Sequence, residues 1–169
     1  MELSQRVWIP VRQVLVWQAL NDPEILKHCL PGCESFDAVA DAVADPVADK
    51  EFEVVLIVKV GPVKAKFKGE VILTDVLAPI SYKISGTGKG GVAGFAKGAA
   101  EVSLKSSDDG ESTLMSYQVT ASVGGKLAQI GSRLVTGAAR KMAADFFTKF
   151  VRLLSSDENM TVEIETLET

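Results

Sequence analysis

The sequence predicts an α+β domain in which an antiparallel sheet curves around one long C-terminal helix. Between Lys50 and Val123 apolar side chains recur at every second residue, which is typical of half-buried strands joined by short turns. After Gly124-Gly125 the apolar period becomes 3.6 and holds for about seven helical turns. A single long helix must bury its apolar stripe, and the concave face of the sheet is the surface available to it.

The chain begins with a predicted strand over residues 2–9 and a helix over residues 11–20. Asn21 is the predicted N-cap of a second short helix, with Pro23 in its first turn, running toward His28. Two short helices in tandem after a first strand restrict the number of folds that fit.

The middle of the chain alternates strands and turns. Residues 38–49 repeat Val-Ala-Asp and predict a low-complexity loop. Phe52 to Val60 then alternates, Gly61-Pro62 turns the chain, and Val63, Ala65 and Phe67 alternate on the return strand. Further strands are predicted over residues 71–76, 81–85, 100–105 and 114–123, with Asp108-Asp109-Gly110 as the turn between the last two.

The final helix has a thin first half, rich in glycine and alanine, and a bulky second half. Its predicted core-facing stripe is Leu127, Leu134, Ala138, Met142, Phe146, Phe150 and Leu153. Small side chains facing a curved sheet predict a cavity, although close packing is the usual state of protein interiors. Strand and helix phase select as lining residues Leu56, Val58, Phe67, Phe95, Tyr117, Val119, Leu134, Ala138, Met142 and Phe146.

Glycines are concentrated between Gly86 and Gly98, where the first six residues fit G-x-G-x-x-G. No helix is predicted to follow, so a nucleotide site is not expected. We interpret the segment as a hairpin loop that is either merely mobile or a gate over the cavity mouth with an apolar tip. The residues of this predicted gate are Gly88, Gly90, Gly91, Gly94, Phe95 and Gly98.

Side-chain catalysis and metal binding have little support in the sequence. His28, Cys29 and Cys33 do not have zinc-site spacing, so no metal site is expected. No serine or cysteine has an evident partner histidine and acid, and we predict no catalytic residues. The two cysteines fit a reducing compartment. With no apolar span and no signal-peptide core in the sequence, we expect a cytoplasmic protein with a domain at residues 1–156 and an acidic tail at 157–169, with a short strand at 160–164.

Basic residues are clustered although the net charge is −4, a value that argues against nucleic-acid binding. One predicted hairpin face carries Lys59, Lys64, Lys66 and Lys68, and the final helix carries Lys126, Arg133 and Arg140 at heptad spacing. A solvated face is one interpretation of this pattern. Docking to an acidic protein surface or to anionic lipid headgroups is the other.

Four stretches together resemble the CoxG family of carbon monoxide dehydrogenase: PGCES at 31–35, KVGPVKAKFKG at 59–69, GKGGVAGFAKG at 88–98 and GGKLAQIGSRL at 124–134. The family belongs to the START-like, polyketide-cyclase-related superfamily, and the resemblance covers residues 1–154. It implies a helix-grip fold, START-like and Bet v 1-like. It also implies a non-catalytic accessory protein of a molybdenum hydroxylase of the carbon monoxide dehydrogenase type, which links the enzyme to the quinone pool of the membrane.

The resemblance further implies a non-covalently bound quinone or lipid in the cavity and peripheral contact with the inner face of the cell membrane. Two other hypotheses remain. A START-like cyclase or hydrolase would need polar groups on the inner wall, for which the candidates are Thr113, Tyr117, Gln129 and Asp145. An assembly partner would have a filled core instead of a cavity.

Overall fold

The computed structural model describes residues 1–39 and 50–167. Apart from Ala38 and Val39, the predicted loop at 38–49 lies outside the described residues. The elements in chain order are β1 (Glu2–Ile9), α1 (Gln13–Leu20), α2 (Pro23–Cys29), β2 (Cys33–Ala38), β3 (Lys50–Val60), β4 (Val63–Leu77), β5 (Ser81–Lys89), β6 (Phe95–Ser106), β7 (Thr113–Gly124), α3 (Lys126–Gln129), α4 (Ser132–Ser155) and β8 (Ile164–Leu167).

All eight of these strands join one antiparallel sheet in the order β2-β3-β4-β5-β6-β7-β1-β8. Burial alternates along them as the sequence pattern predicts: Phe52 and Val54 on β3 are buried, whereas Glu51 and Glu53 beside them are exposed. Gly61 makes the β3–β4 turn with a φ of +55°, a left-handed conformation that favours glycine. The predicted sheet that curves around a C-terminal helix is therefore confirmed.

Helix α2 begins one residue later than predicted. The N-cap is Asp22 and not Asn21, because the Asp22 carboxylate accepts a hydrogen bond from the backbone N–H of Glu24 at 3.0 Å. The Asn21 side chain instead donates to the carbonyl oxygen of Trp17 at 2.9 Å and closes the end of α1.

The strands are longer than the sequence pattern indicates. Strand β2 is not predicted, and β4 is one continuous strand where two are expected. Strands β5 and β6 extend through the glycine-rich segment, where Gly86 pairs with Gly98 and Gly88 with Ala96. The prediction of a loop over the whole of this segment is wrong, because backbone hydrogen bonds need no side chains and glycine can continue a ladder.

The final helix is broken, contrary to the prediction of one continuous helix. Helix α3 ends at Gln129, and Gly131 has a φ of +98° at the N-cap of α4. The break resets the helical phase, so the predicted stripe is partly wrong: Leu134 is 49% exposed and Leu153 is 44% exposed. The fully or nearly fully buried positions of α4 are Phe147, Phe150 and Val151.

Aromatic side chains fill the sheet around the second half of α4. Phe147 stacks on Tyr117 with ring centroids 5.6 Å apart, and Phe146 stacks on Phe150 at 5.3 Å. A second, smaller cluster at the other end of the sheet contains Val60, Phe67, Ala93 and Leu127. The core is therefore divided into a packed aromatic half and a half built from small residues.

The described part of the predicted acidic tail returns to the sheet. Met160, Val162 and Ile164 pack against the main core, and β8 pairs antiparallel with β1. The tail strand begins later than the predicted 160–164, at Ile164. Residues 157–167 thus extend the sheet past its predicted boundary.

Candidate ligand-binding cavity

A cavity of about 480 Å³ lies between the concave face of the sheet and the first half of α4. Its size falls within the range of about 300 to 1,000 Å³ that is typical of small-molecule sites. The residues that line it are Met1, Val54, Leu56, Val58, Val60, Phe67, Gly69, Glu70, Val71, Gly86, Thr87, Gly88, Ala96, Lys97, Gly98, Ala121, Ser122, Val123, Leu127, Ala128, Gly131, Ser132, Val135, Ala138, Ala139 and Met142.

The floor of the cavity consists of two rows of cross-strand partners with small side chains at their centres. One row runs Val71, Gly86, Gly98, Ala121 across β4 to β7, and the other runs Gly69, Gly88, Ala96, Val123 across the same strands. An aliphatic side chain on each of these positions would fill the concave face. The glycines and alanines therefore produce the volume.

The roof comes from α3 and α4. Val135, Ala138 and Ala139 face the floor along the first turns of α4, and Met142 ends the roof. Ala128, Gly131 and Ser132 both line the cavity and are exposed to solvent. The cavity therefore reaches the surface beside the break between the two helices.

Half of the predicted lining residues lie on the cavity wall: Leu56, Val58, Phe67, Ala138 and Met142. Tyr117, Val119 and Phe146 lie outside it, in the aromatic core or packed against it. Leu134 lies near the β3–β4 turn, where its Cδ1 atom is 3.5 Å from the position of a Cβ on Gly61. The prediction of the thin half of the helix is correct, but the break at Gly131 moves Leu134 off the inner face.

Phe95 is not a cavity-lining residue. It is 51% exposed on the outer face of β6, and its ring packs where a side chain on Gly124 would lie. Phase alone explains this position, because Ala96 and Gly98 on the same strand face inward.

The predicted gate is much shorter in the structure. Gly88 lies in β5 and Gly98 in β6, where both form floor. Only Gly90, Gly91 and Gly94 remain in the turn, together with buried Ala93, which is 3% exposed. The exposed tip is Val92, at 84%, in place of the expected Phe95.

The turn is held by close backbone contacts. The Gly90 N–H donates to the carbonyl oxygen of Gly94 at 2.8 Å, and Gly94 lies directly against the backbone of Gly124 and Gly125. A Cβ on Gly90 would lie 2.6 Å from the Phe67 ring. The turn thus closes one end of the cavity by packing on its wall.

Sequence reasoning missed the glycine floor. Its clearest members are Gly69, Gly86 and Ala121, together with Ala139 on the roof. The available signal was phase: Gly86 and Gly88 continue the inward positions of Tyr82 and Ile84 at two-residue spacing.

The polar residues proposed for an enzyme do not converge on the cavity. Thr113 Oγ1 donates to the carbonyl oxygen of Val11 at 2.7 Å in the core, and the Tyr117 hydroxyl donates to Oε1 of Gln5. Asp145 accepts from Lys141 at 2.9 Å on the surface, and Gln129 is exposed. Burial raises the pKa of Tyr117, so this hydroxyl stays protonated at neutral pH. None of the four lines the cavity.

The cysteines and histidine also stay apart from the cavity. Cys29 is fully buried, and this burial raises the pKa of its thiol to about 11. Burial also raises the pKa of Cys33, although less, and its thiol donates to the carbonyl oxygen of Ser35 at 3.3 Å. Among the described residues no group of three or more His, Cys, Asp and Glu side chains is arranged to hold a metal ion.

All seven predicted basic contact residues are exposed: Lys59, Lys64, Lys66, Lys68, Lys126, Arg133 and Arg140. Lys66 pairs with Glu34 at 2.9 Å. Within residues 1–39 and 50–167, no helix combines the length and the hydropathy needed to cross a bilayer.

A curved antiparallel sheet that grips a C-terminal helix over an apolar cavity defines the START-like, Bet v 1-like class of helix-grip proteins. Within this class, the chain belongs to the CoxG family of carbon monoxide dehydrogenase, whose family model matches residues 6–155. Comparison with curated protein sequences gives no match.

Solved structures agree with this assignment of the fold. A conserved protein from Geobacillus kaustophilus is similar with a TM-score of 0.83 and 27% identity, over 98% of this chain and 99% of that chain. TTHA0849 from Thermus thermophilus has a TM-score of 0.66 at 18% identity, over 92% and 98%. Ara h 8.0201 has a TM-score of 0.65 at 14% identity, over 92% and 98%. The last two likenesses concern the fold alone.

Proposed function

We propose that this protein binds an apolar small molecule, a quinone or a lipid, and serves a molybdenum hydroxylase of the carbon monoxide dehydrogenase type as a non-catalytic accessory protein. The observation that carries the proposal is the cavity of about 480 Å³ with its wall of glycine, alanine and aliphatic side chains. A wall of this kind favours an apolar guest through the hydrophobic effect.

The shape of the cavity supports a flat or slender ligand. The floor offers backbone and small side chains over two strand rows, so a planar ring can approach the sheet closely. Val135 and Met142 supply aliphatic contact from the roof. A tail longer than the cavity would leave through the opening beside Gly131.

A bound quinone would itself supply the electron-accepting chemistry. The protein would contribute binding, orientation and exclusion of water, because the lining residues with polar side chains, among them Lys97 and Ser132, are exposed to solvent. This division of labour requires no acid–base pair in the wall. Family membership supports an association with carbon monoxide dehydrogenase, and the proposed role is to carry the ligand between the enzyme and the inner face of the cell membrane.

The proposal is tested by the ligand content of the protein. Purified protein is extracted with organic solvent and analysed by mass spectrometry, and a short-chain menaquinone is added to ligand-free protein in equilibrium dialysis. We expect recovery of a quinone or lipid, or saturable binding of the added menaquinone. Material that contains neither and also rejects the added quinone would contradict the proposal.

A matched pair of variants tests the site. In Gly86→Ile the new side chain enters the cavity, since the nearest atom to the added Cβ, the carbonyl oxygen of Glu70, is 3.5 Å away. In Ser85→Ile the same side chain appears one residue earlier, on the exposed outer face. We expect Gly86→Ile to lose binding by at least about tenfold, because the guest and the side chain compete for one volume, and Ser85→Ile to bind like the wild type.

A further inference from the structure

Charge is strongly segregated in this molecule. Residues 59–68, 86–98 and 121–144 contain ten lysines and arginines and no aspartate or glutamate, although the chain has 22 acidic residues in total. These three segments meet in space, because Val60, Phe67, Ala93 and Leu127, one or more from each, form a single buried cluster. We call this part of the molecule the basic end.

Two lysine pairs at the basic end lie directly opposite each other on neighbouring strands. Lys59 is the cross-strand partner of Lys64, and Lys68 is the partner of Lys89. Like charges in this arrangement destabilise a sheet. The fold therefore maintains two repulsive contacts that an anionic surface would relieve.

Little within the protein compensates these charges. Lys66 pairs with Glu34, and Lys141 pairs with Asp145. The other eight form no ion pair with a carboxylate in the part of the chain that the structure describes: Lys59, Lys64, Lys68, Lys89, Lys97, Lys126, Arg133 and Arg140.

Exposed apolar side chains lie among the cations. Val92 is 84% exposed at the tip of the turn between β5 and β6, and Leu134 is 49% exposed in the first turn of α4. The cavity opening at Gly131 lies between α3 and α4 at the same end. Apolar tips surrounded by cations are typical of proteins that rest on a bilayer, with the tips among the headgroups and the cations near lipid phosphates.

We propose that the basic end docks the protein on an anionic lipid bilayer, with Val92 and Leu134 among the headgroups and the cavity opening next to the membrane. The inference rests on the proposed function for its purpose, since an apolar guest dissolved in the bilayer would then reach the cavity without crossing water. Cations on both the sheet side and the helix side of the opening favour an extended lipid surface over a single acidic protein patch.

Vesicle co-sedimentation tests the docking. The 169-residue chain is mixed with phosphatidylcholine vesicles and with vesicles that contain about 30% phosphatidylglycerol, an anionic lipid. We expect binding to the anionic vesicles only, and we expect it to weaken as salt is added, because the charges are exposed and screened. Equal binding to both vesicles, or none to either, would overturn the proposal.

Charge reversal locates the surface. Lys64→Glu with Lys89→Glu should weaken anionic-vesicle binding by at least about tenfold. The folded state should be preserved and its Tm raised, because each new carboxylate then faces Lys59 or Lys68 across the sheet. Lys50→Glu with Lys105→Glu makes the same change of net charge away from the basic end and should bind as the wild type does. Equal losses in both double variants would contradict a specific face.

The apolar tip has its own control. Val92→Ser should weaken vesicle binding without changing any charge, whereas Val14→Ser, at a residue 54% exposed on α1, should not. If the basic-end variants keep vesicle binding and lose only the molybdenum hydroxylase, the face belongs to a protein partner and the proposal is wrong.

Failure of docking can be told from failure of ligand binding. Gly86→Ile fills the cavity but leaves the basic end unchanged, so it should still bind anionic vesicles. Wild-type protein that yields a bound quinone yet ignores anionic vesicles would contradict the docking alone.

Discussion

Gly86 and Gly98 lie directly opposite each other on β5 and β6, so that the centre of the concave face has no side chain from either strand. Both residues belong to regular strands, where glycine weakens the fold because it loses more conformational entropy than other residues and packs nothing. The cavity therefore exists at a cost in stability, which single substitutions can measure.

Gly86→Ile should raise the free energy of unfolding by about 1 kcal/mol, because the β-branched side chain favours the strand and finds open space. Gly98→Ile should instead lower it by about 1 to 3 kcal/mol. A Cβ at position 98 would lie 3.2 Å from the carbonyl oxygen of Thr120 and 3.3 Å from Cβ of Ala121. Urea denaturation of both variants measures the difference, and a loss of stability in Gly86→Ile would show that the cavity is not open there.

The turn between β5 and β6 gives a second matched pair. Gly91 and Gly94 have φ angles of +61° and +109°, so alanine is strained at both. A Cβ on Gly91 meets nothing within 4 Å, whereas one on Gly94 would overlap the carbonyl oxygen of Gly124. We expect Gly91→Ala to cost about 1 kcal/mol and Gly94→Ala to cost at least about 3 kcal/mol, or to prevent folding.

Thermal denaturation followed by circular dichroism checks this second prediction. Similar midpoints for the two variants would mean that the turn does not pack on the β7–α3 junction. Ligand binding by Gly91→Ala should remain at the wild-type level, since Gly91 is not a lining residue.

The sequence predicts the order of elements well because two periods, of two and of 3.6 residues, are direct consequences of burial on one face. It predicts the thin half of the helix and five wall residues for the same reason. It could not predict that Gly86–Lys89 continues β5, because a glycine-rich run has the same composition in a loop and in a strand, and only the partner strand decides between them.

Phase errors account for the other differences. Counting from Leu127 predicts Leu134 on the inner face, but the left-handed Gly131 between them interrupts the helix. An aromatic residue in an apolar loop suggests burial for Phe95, whereas its strand phase puts it on the outer face. Both errors arise where a single glycine or strand boundary changes the count.

A buried polar chain joins the aromatic core to the C-terminal strand. The Tyr117 hydroxyl donates to Gln5, whose Nε2 donates to Thr166 Oγ1 at 3.0 Å. Tyr117→Phe should cost about 1 to 3 kcal/mol, because Oε1 of Gln5, in a residue 4% exposed, loses its donor. Tyr82→Phe is the control, since the Tyr82 hydroxyl has no hydrogen-bond partner within the described residues, and it should cost less than about 1 kcal/mol.

Urea denaturation of the two tyrosine variants gives the comparison, and equal costs would contradict a stabilising role for the Tyr117–Gln5 bond. The pH dependence has a defined sign. Burial raises the pKa of both tyrosines, so their contribution to stability is complete below the unfolded-state pKa near 10 and is lost as the pH rises above it. The wild type should therefore lose stability above about pH 10 more steeply than Tyr117→Phe.

The two thiols should differ in reactivity. Cys29 is fully buried with a pKa raised to about 11, which lowers its thiolate fraction about a hundredfold relative to an ordinary thiol near neutral pH. Cys33 is partly exposed. Iodoacetamide at pH 8 should therefore modify one thiol rapidly and the other only through opening of the fold, as counted by intact-protein mass spectrometry.

Cys33→Ser assigns the fast site. This variant should keep only the slow reaction, whose rate should rise to that of a free thiol when urea unfolds the chain, because unfolding removes both the burial and the pKa shift. The raised pKa of Cys29 also means that its stabilising contribution is complete below about pH 9 and is lost between there and about pH 11. Fast modification of Cys29 in the native variant would show that α2 does not pack against the core as the structure has it.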